Sequence, residues 1–344
     1  VRMISSPVFW KNMKDTSGNN GKTGKLHKAV SLFKENQVIT ILLVLIGIGT
    51  FLGIHTKTFF TSYNIFNVLR AFSWIAISAF GQAMVILGGG IDLSPGSVMA
   101  LSGIITGMLL VRGVAIVVSV IAGLAMGAFI GYINGTLISR SNLPPFIATL
   151  GMMSIARGFC YGLTNGWPIR KFPAGFLILG QADIHILLWK VPLPVIFMIA
   201  LAFLSFIFLN NTKYGYHIYA VGGNEYSASL ASINITRTKI LIYTLSGFFT
   251  AIGGILMTSR LGVAAPTAAL GYELDIIAAV AIGGISLRGG EGNIWGALIG
   301  AAIMQVIRNG LVLLGFPAYW QPAAIGTVII IAVMIDQFKK VRSQ

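Results

Sequence analysis

Apolar residues run through this chain in long blocks separated by short polar breaks, with little of the alternation that marks a half-buried strand. The blocks fall at 38–54, 66–88, 96–111, 114–138, 146–164, 192–209, 239–259, 274–287, 294–314 and 319–336. Most are close to the ~20 apolar residues that a bilayer-crossing helix needs, so the pattern predicts an all-α, polytopic membrane bundle of about ten helices. Two blocks are short or interrupted by glycine and proline. Irregular segments of that kind are tolerated in membranes where they pack inside protein or line a polar cavity.

The rest of the chain follows from this frame. Residues 1–37 are polar and basic and predict a disordered tail; 38–338 form the membrane domain, and 339–344 a short terminal tail. No small-x-small cleavage site follows the first apolar block, so that block reads as a retained helix. Ten crossings put both termini on one side. Counted that way, 15 of the 24 Lys and Arg lie on the side of the termini, 6 lie opposite, and Arg70, Arg157 and Arg308 fall within spans. Basic residues mark the cytoplasmic face, so both termini are expected there, with 210–238 the longest cytoplasmic loop and 165–191 the longest external one. Tyr319-Trp320 and Trp189 sit at span ends, where amphipathic rings settle.

Composition agrees. Hydrophobic residues make up 56% of the 344 and charged residues only 10%, against about 25% in soluble domains. The net charge of +15 comes from loops and tails, which removes nucleic acid as an expected partner and leaves membrane lipid. The single cysteine, Cys160, excludes an intramolecular disulfide and a cysteine-rich metal site; it is expected as a small core residue.

Few residues offer chemistry. Thr16 to Thr23 resembles a phosphate-binding loop but lacks the first glycine, and a tail this short holds no α/β core to support one. The acids beyond the tail are Asp92, Asp183, Glu225, Glu273, Asp275, Glu291 and Asp336, and each reads as lying in a loop or near a span end. That placement weighs against an ion-coupled carrier, which uses midplane carboxylates, and against an intramembrane hydrolase. His27, His55, His185 and His217 show no ligand spacing. No catalytic residue and no metal site are expected.

In Gly88-Gly-Gly-Ile-Asp-Leu-Ser-Pro95, Ser94 suits a helix N-cap and Pro95 the first helical position, with Asp92 near the positive helix end; capping and direct solute contact by Asp92 both stay open. Gly-Gly-Ile-x-Leu recurs at 89–93 and 283–287, where chance and an internal repeat are both possible. Asn134, Arg157, Arg308 and Asn309 lie in or near spans, either lining a pathway or bonding helices together. In 213–238, Gly222-Gly223 break the chain. Asn224 caps a short helix with Glu225 in its first turn. Ala228, Leu230 and Ala231 supply small apolar knobs, and Asn234 the exit. That helix reads either as a docking element or as an ordinary loop helix.

Ala220 to Ile235, followed by Leu245-Ser-Gly-Phe-Phe-Thr-Ala-Ile-Gly-Gly-Ile255, resembles the coupling region of bacterial ATP-binding-cassette sugar permeases of the ribose type, within the branched-chain amino acid and sugar permease superfamily. Gly90 to Ser97, Pro145 to Leu150 with Thr164 to Gly166, Pro266 to Asp275 with Gly283 to Gly292, Asn309 to Gly315 and Tyr319 to Gln321 resemble the same family. Pro95 stands where a small aliphatic residue is expected, and the basic tail is longer than expected. The resemblance implies a type II importer-like permease in the bacterial cytoplasmic membrane. It implies two permease subunits, two ATPase subunits that carry ATP and magnesium, and an extracytoplasmic binding protein. No cofactor is expected on this chain. Gly222, Gly223, Asn224, Glu225, Ala228 and Ala231 become the ATPase-coupling loop, and Asp92, Asn134, Arg157, Asp275 and Asn309 the candidate pathway residues. Alternatives are an autoinducer-2 importer permease and an ion-coupled secondary carrier.

Overall fold

The computed structural model describes residues 37–186 and 189–327, with 330 and 334. The tail, its phosphate-loop near-match and the C-terminal segment 339–344 lie outside the described residues. The helices are α1 (Gln37–His55), α2 (Ser62–Leu87), α3 (Pro95–Val111), α4 (Ile116–Arg140), α5 (Pro145–Thr164) and α6 (Ala174–Gln181). After the strands β1 (Asp183–Ile186) and β2 (Trp189–Pro192) come α7 (Leu193–Asn211), α8 (Lys213–Gly223), α9 (Glu225–Leu230), α10 (Ile235–Leu261), α11 (Tyr272–Ile282) and α12 (Ile294–Leu313). Seven of these (α1, α2, α4, α5, α7, α10 and α12) are long and apolar enough to cross a membrane.

Nine of the apolar blocks fall on one described helix each. The tenth opens with a 3₁₀ turn at Ala318–Trp320 and continues as helix over 321–327, beyond which description is partial. The long loop 165–191 is not unstructured: it holds α6, and β1 pairs with β2 antiparallel in a small hairpin.

α10 is the hub of the bundle and packs against α2, α3 and α4. Glycine explains how closely α4 approaches it. Gly127, Gly131 and Gly135 recur every fourth residue, and a Cβ on any of them would run into the backbone of α10 at Gly247, Tyr243 and Ile240. Small residues at this spacing let membrane helices meet backbone to backbone. Trp74–Leu87 of α2 is wholly buried, in a core shared with Ile242, Tyr243, Met257, Ile276, Ala279 and Met304. Cys160 is buried, as expected.

α3 and α11 are short because each begins inside the bundle. α3 starts at Pro95, which suits the first helical turn. α11 starts at Gly271, whose φ of 82° ends the irregular segment 262–271. The helices before them end alike. Gly88, Gly89 and Gly90 donate to Met84, Ile86 and Val85, and Gly283, Gly284 and Ile285 donate to Ala279, Ala281 and Val280. Gly89 and Gly284 both take positive φ, 77° and 81°. The recurring sequence therefore builds the same cap twice, displaced by one residue from the sequence match.

Candidate functional site

At one end of the bundle three glycine pairs from distant parts of the chain meet. Gly290 N–H donates to the Leu87 carbonyl (2.9 Å). Gly222 lies against that same carbonyl, and a Cβ on Gly289 would meet Gly222 O at 2.7 Å and Gly89 Cα at 3.0 Å. Tyr219 Oη adds a bond to Gly292 O (3.0 Å). The end of α8 is thus seated, backbone on backbone, on both the α2–α3 and the α11–α12 turns.

From this junction the chain turns into α9. Asn224, extended at φ −159°, caps it by accepting from Ser227 N–H (2.8 Å). Glu225 pairs with Lys239 of α10 (2.8 and 2.9 Å to the two carboxylate oxygens). Two expectations change here. Ala228, expected as an exposed knob, is 3% exposed and packs inward, since a six-residue helix must bury its one small apolar face to hold against α10. The exposed face instead carries Tyr226 (73%) and Leu230 (71%), with Ala231 beside it. Asn234 does not close α9: it starts α10, accepting from Arg237 N–H (2.9 Å), and Ser232 makes the turn at φ 61°.

Asp92 is buried between α2, α3 and α10. Its Oδ1 accepts from Ser94 N–H (2.9 Å) and Ser94 Oγ (2.6 Å), and its Oδ2 accepts from Ser246 Oγ (3.1 Å). Ser94 stands at the N-cap position, but its hydroxyl turns to Asp92 and makes no cap bond of its own. Asn134 Nδ2 donates to Ser94 Oγ (3.2 Å) and Tyr243 Oη to Ile91 O (3.2 Å). Gln82, with its amide turned to match, exchanges bonds with the backbone of Asp92 (3.2 and 3.3 Å). Asp92 and Asn134 therefore bond helices together, and both side chains face protein only.

Toward the opposite end the polar residues pair across helices. Asp275 reads as lying near a span end and falls in the first turn of α11; it is fully buried there, because the irregular segment before it carries the chain into the bundle. Arg308 of α12 pairs with it and lies over the Tyr272 ring, 4.7 Å from its centroid. Asn309 and Asn64 exchange amide bonds (2.8 and 3.0 Å), tying α12 to α2. Arg70 reaches Asp183 in β1, and Arg260 reaches Asn67 (3.0 Å). Arg157 donates through Nη1 to Pro266 O (2.6 Å) and Ala268 O (2.8 Å). Asn64 and Asp183 were invisible as partners in the sequence, since their mates lie 245 and 113 residues away.

With the geometry in place, comparison with known proteins is informative. Residues 64–335 match the family model described as branched-chain amino acid transport system / permease component. The chain is 41% identical to the ribose import permease protein RbsC of Escherichia coli K12 over 319 residues, covering 92% of this chain and 98% of that one. It is 41% identical to RbsC of Bacillus subtilis (85% and 93% covered) and 42% to the fructose import permease protein FrcC of Rhizobium meliloti (88% and 84%). No solved structure matches. The chain belongs to the branched-chain amino acid transport system permease-component family.

Proposed function

We propose that this chain is the membrane-spanning subunit of an ATP-driven importer for a monosaccharide, of which ribose is the first candidate. The observation that carries the reading is similarity along nearly the whole chain to proteins named ribose and fructose import permeases. In this reading the chain crosses the bacterial cytoplasmic membrane ten times with both termini inside, as its charge asymmetry favours. Two permease subunits form the pathway, separate ATPase subunits bind and hydrolyse ATP with magnesium, and an extracytoplasmic binding protein delivers the sugar.

α8 and α9 form the coupling element. Tyr226 and Leu230 enter a groove of the ATPase, while Gly222 and Gly223 join α9 to both glycine turns. ATP-driven closure of the ATPase pair then shifts the population between inward- and outward-open bundles. Arg157, Asp275 and Asn309 are the pathway candidates that remain: the first two sit where an irregular segment enters the bundle, and Asn309 is half-buried.

A second reading, an ion-coupled carrier, draws on one observation: buried Asp92 takes its hydrogen bonds from Ser94 and Ser246, both neutral. Sugar uptake into cells separates the two. Uptake abolished by ATP depletion and retained with a proton uncoupler, ATP being held constant, supports the importer. Uptake that collapses with the uncoupler overturns it.

A further inference from the structure

Arg157 is the thirteenth of the twenty residues of α5, so at 1.5 Å per residue it lies about 4 Å from the helix midpoint. A hydrocarbon core about 30 Å thick places it well inside the membrane. A guanidinium at that depth is costly, and such groups face the protein interior or a wet pathway. Arg157 spends both of its hydrogen bonds on the carbonyls of Pro266 and Ala268, in an irregular stretch that enters the bundle from the end bearing the 165–191 loop.

Within 262–271 one turn bond, from Ala268 N–H to Ala265 O (2.9 Å), is made beside strained backbone. Gly262 and Gly271 have φ of 66° and 82°, and Ala269 has 53°, a left-handed value that costs a residue with a Cβ about 1–2 kcal/mol. Ala264, Pro266 and Ala269 pack into the core, and named hydrogen bonds add to that. Ile169 and Ala264 exchange backbone bonds (2.9 and 3.0 Å), and Arg157 holds the turn beyond them. Thr267 and Leu270 stay exposed at the tip. On the same helix as Arg157, Ile155, Gly158, Phe159, Gly162 and Leu163 line an open apolar groove.

We propose that Arg157 is a positioning residue for transport: its Nη1, donating to two carbonyls, pins segment 262–271 as the outer closure of the pathway. This rests on the importer reading. Strained backbone is retained where surrounding contacts over-determine it, and the two Arg157 Nη1 bonds are among the contacts that do so here. Opening the closure requires both carbonyls to leave the guanidinium together.

The test uses the assembled permease–ATPase complex in proteoliposomes without ATP, with xylitol as a small polyol and light scattering as the readout of leak. Arg157→Met keeps the apolar stem and removes the donors. It is expected to raise the leak roughly a hundredfold or more, the range that two charge-assisted hydrogen bonds support, and to lower ATP-driven accumulation. Arg157→Lys keeps the charge and a donor nitrogen on a shorter side chain and is expected to leak less than Arg157→Met but above the unsubstituted complex. A purely structural role would lower thermal stability without a leak. An assembled Arg157→Met complex that is as tight as the unsubstituted one overturns the proposal. Should Arg157→Met not assemble, Thr267→Cys in a Cys160→Ala background carries the test: Arg157→Lys is expected to speed its labelling by a membrane-impermeant maleimide, and an unchanged rate overturns the proposal. If the unsubstituted complex itself fails to take up sugar with ATP, the importer reading has failed instead.

Discussion

Gly222 and Gly223 are neighbours in sequence, yet alanine at the two positions should have opposite effects. A Cβ on Gly222 would lie 2.7 Å from Gly290 N and 2.8 Å from the Leu87 carbonyl carbon, nearer still to the Leu87 oxygen. All three are backbone atoms, so no flexible side chain can yield. The junction must open, and the Gly290 N–H bond to Leu87 O goes with it. Overpacking of this kind costs about 1–3 kcal/mol and the lost bond about 1 kcal/mol. The higher helix propensity of alanine returns up to about 1 kcal/mol in the last turn of α8. Gly222→Ala is therefore expected to destabilise by about 1–4 kcal/mol net, summing these terms.

At Gly223 the Cβ direction is open, and φ is not positive. Gly223→Ala should be neutral or stabilising by up to about 1 kcal/mol. The assay is thermal unfolding of the purified chain in detergent, alongside co-purification of the ATPase subunits. Gly222→Ala should lower the melting temperature by several degrees and weaken coupling. Equal shifts for both variants would refute the three-glycine junction.

Other outcomes follow from single contacts. Ala228→Glu forces a carboxylate into a buried site and should destabilise the permease itself. Leu230→Glu, on the exposed face of α9, should leave melting unchanged but reduce ATPase co-purification at least tenfold, the equivalent of ~1.4 kcal/mol. Arg308→Met leaves Asp275 buried without its cation and should cost about 3–5 kcal/mol; Asp275→Leu combined with Arg308→Met should recover much of that, as thermal unfolding will show. In a Cys160→Ala background, Trp167→Cys should label from outside intact cells and Leu230→Cys only after permeabilisation; the reverse pattern would invert the topology.

The membrane helices were legible because lipid demands long apolar blocks, and each described block is a helix. The α8–α9 break was legible because Gly222-Gly223-Asn224 carries both a helix end and a cap. What escaped the sequence depends on contacts across the fold. The burial of Asp275 follows from segment 262–271 turning inward, which no local pattern marks. Ala228 and Leu230 are both apolar, and only the seat of α9 on α10 decides which faces out. Among 42 glycines, nothing local distinguishes Gly222, pressed on Leu87, from Gly223 beside it. Ser94 was placed correctly as the cap position, but the nearby Asp92 carboxylate captured its hydroxyl.

As proposed, this chain forms a sugar path driven by a partner's ATP hydrolysis. Proteoliposomes holding this chain and its ATPase, with ATP on the ATPase side and ribose-loaded binding protein on the other, test it directly. Ribose accumulation is expected to require ATP, to be blocked by vanadate and to be lost with Leu230→Glu. Accumulation without ATP hydrolysis, or undiminished accumulation by Leu230→Glu, would contradict it.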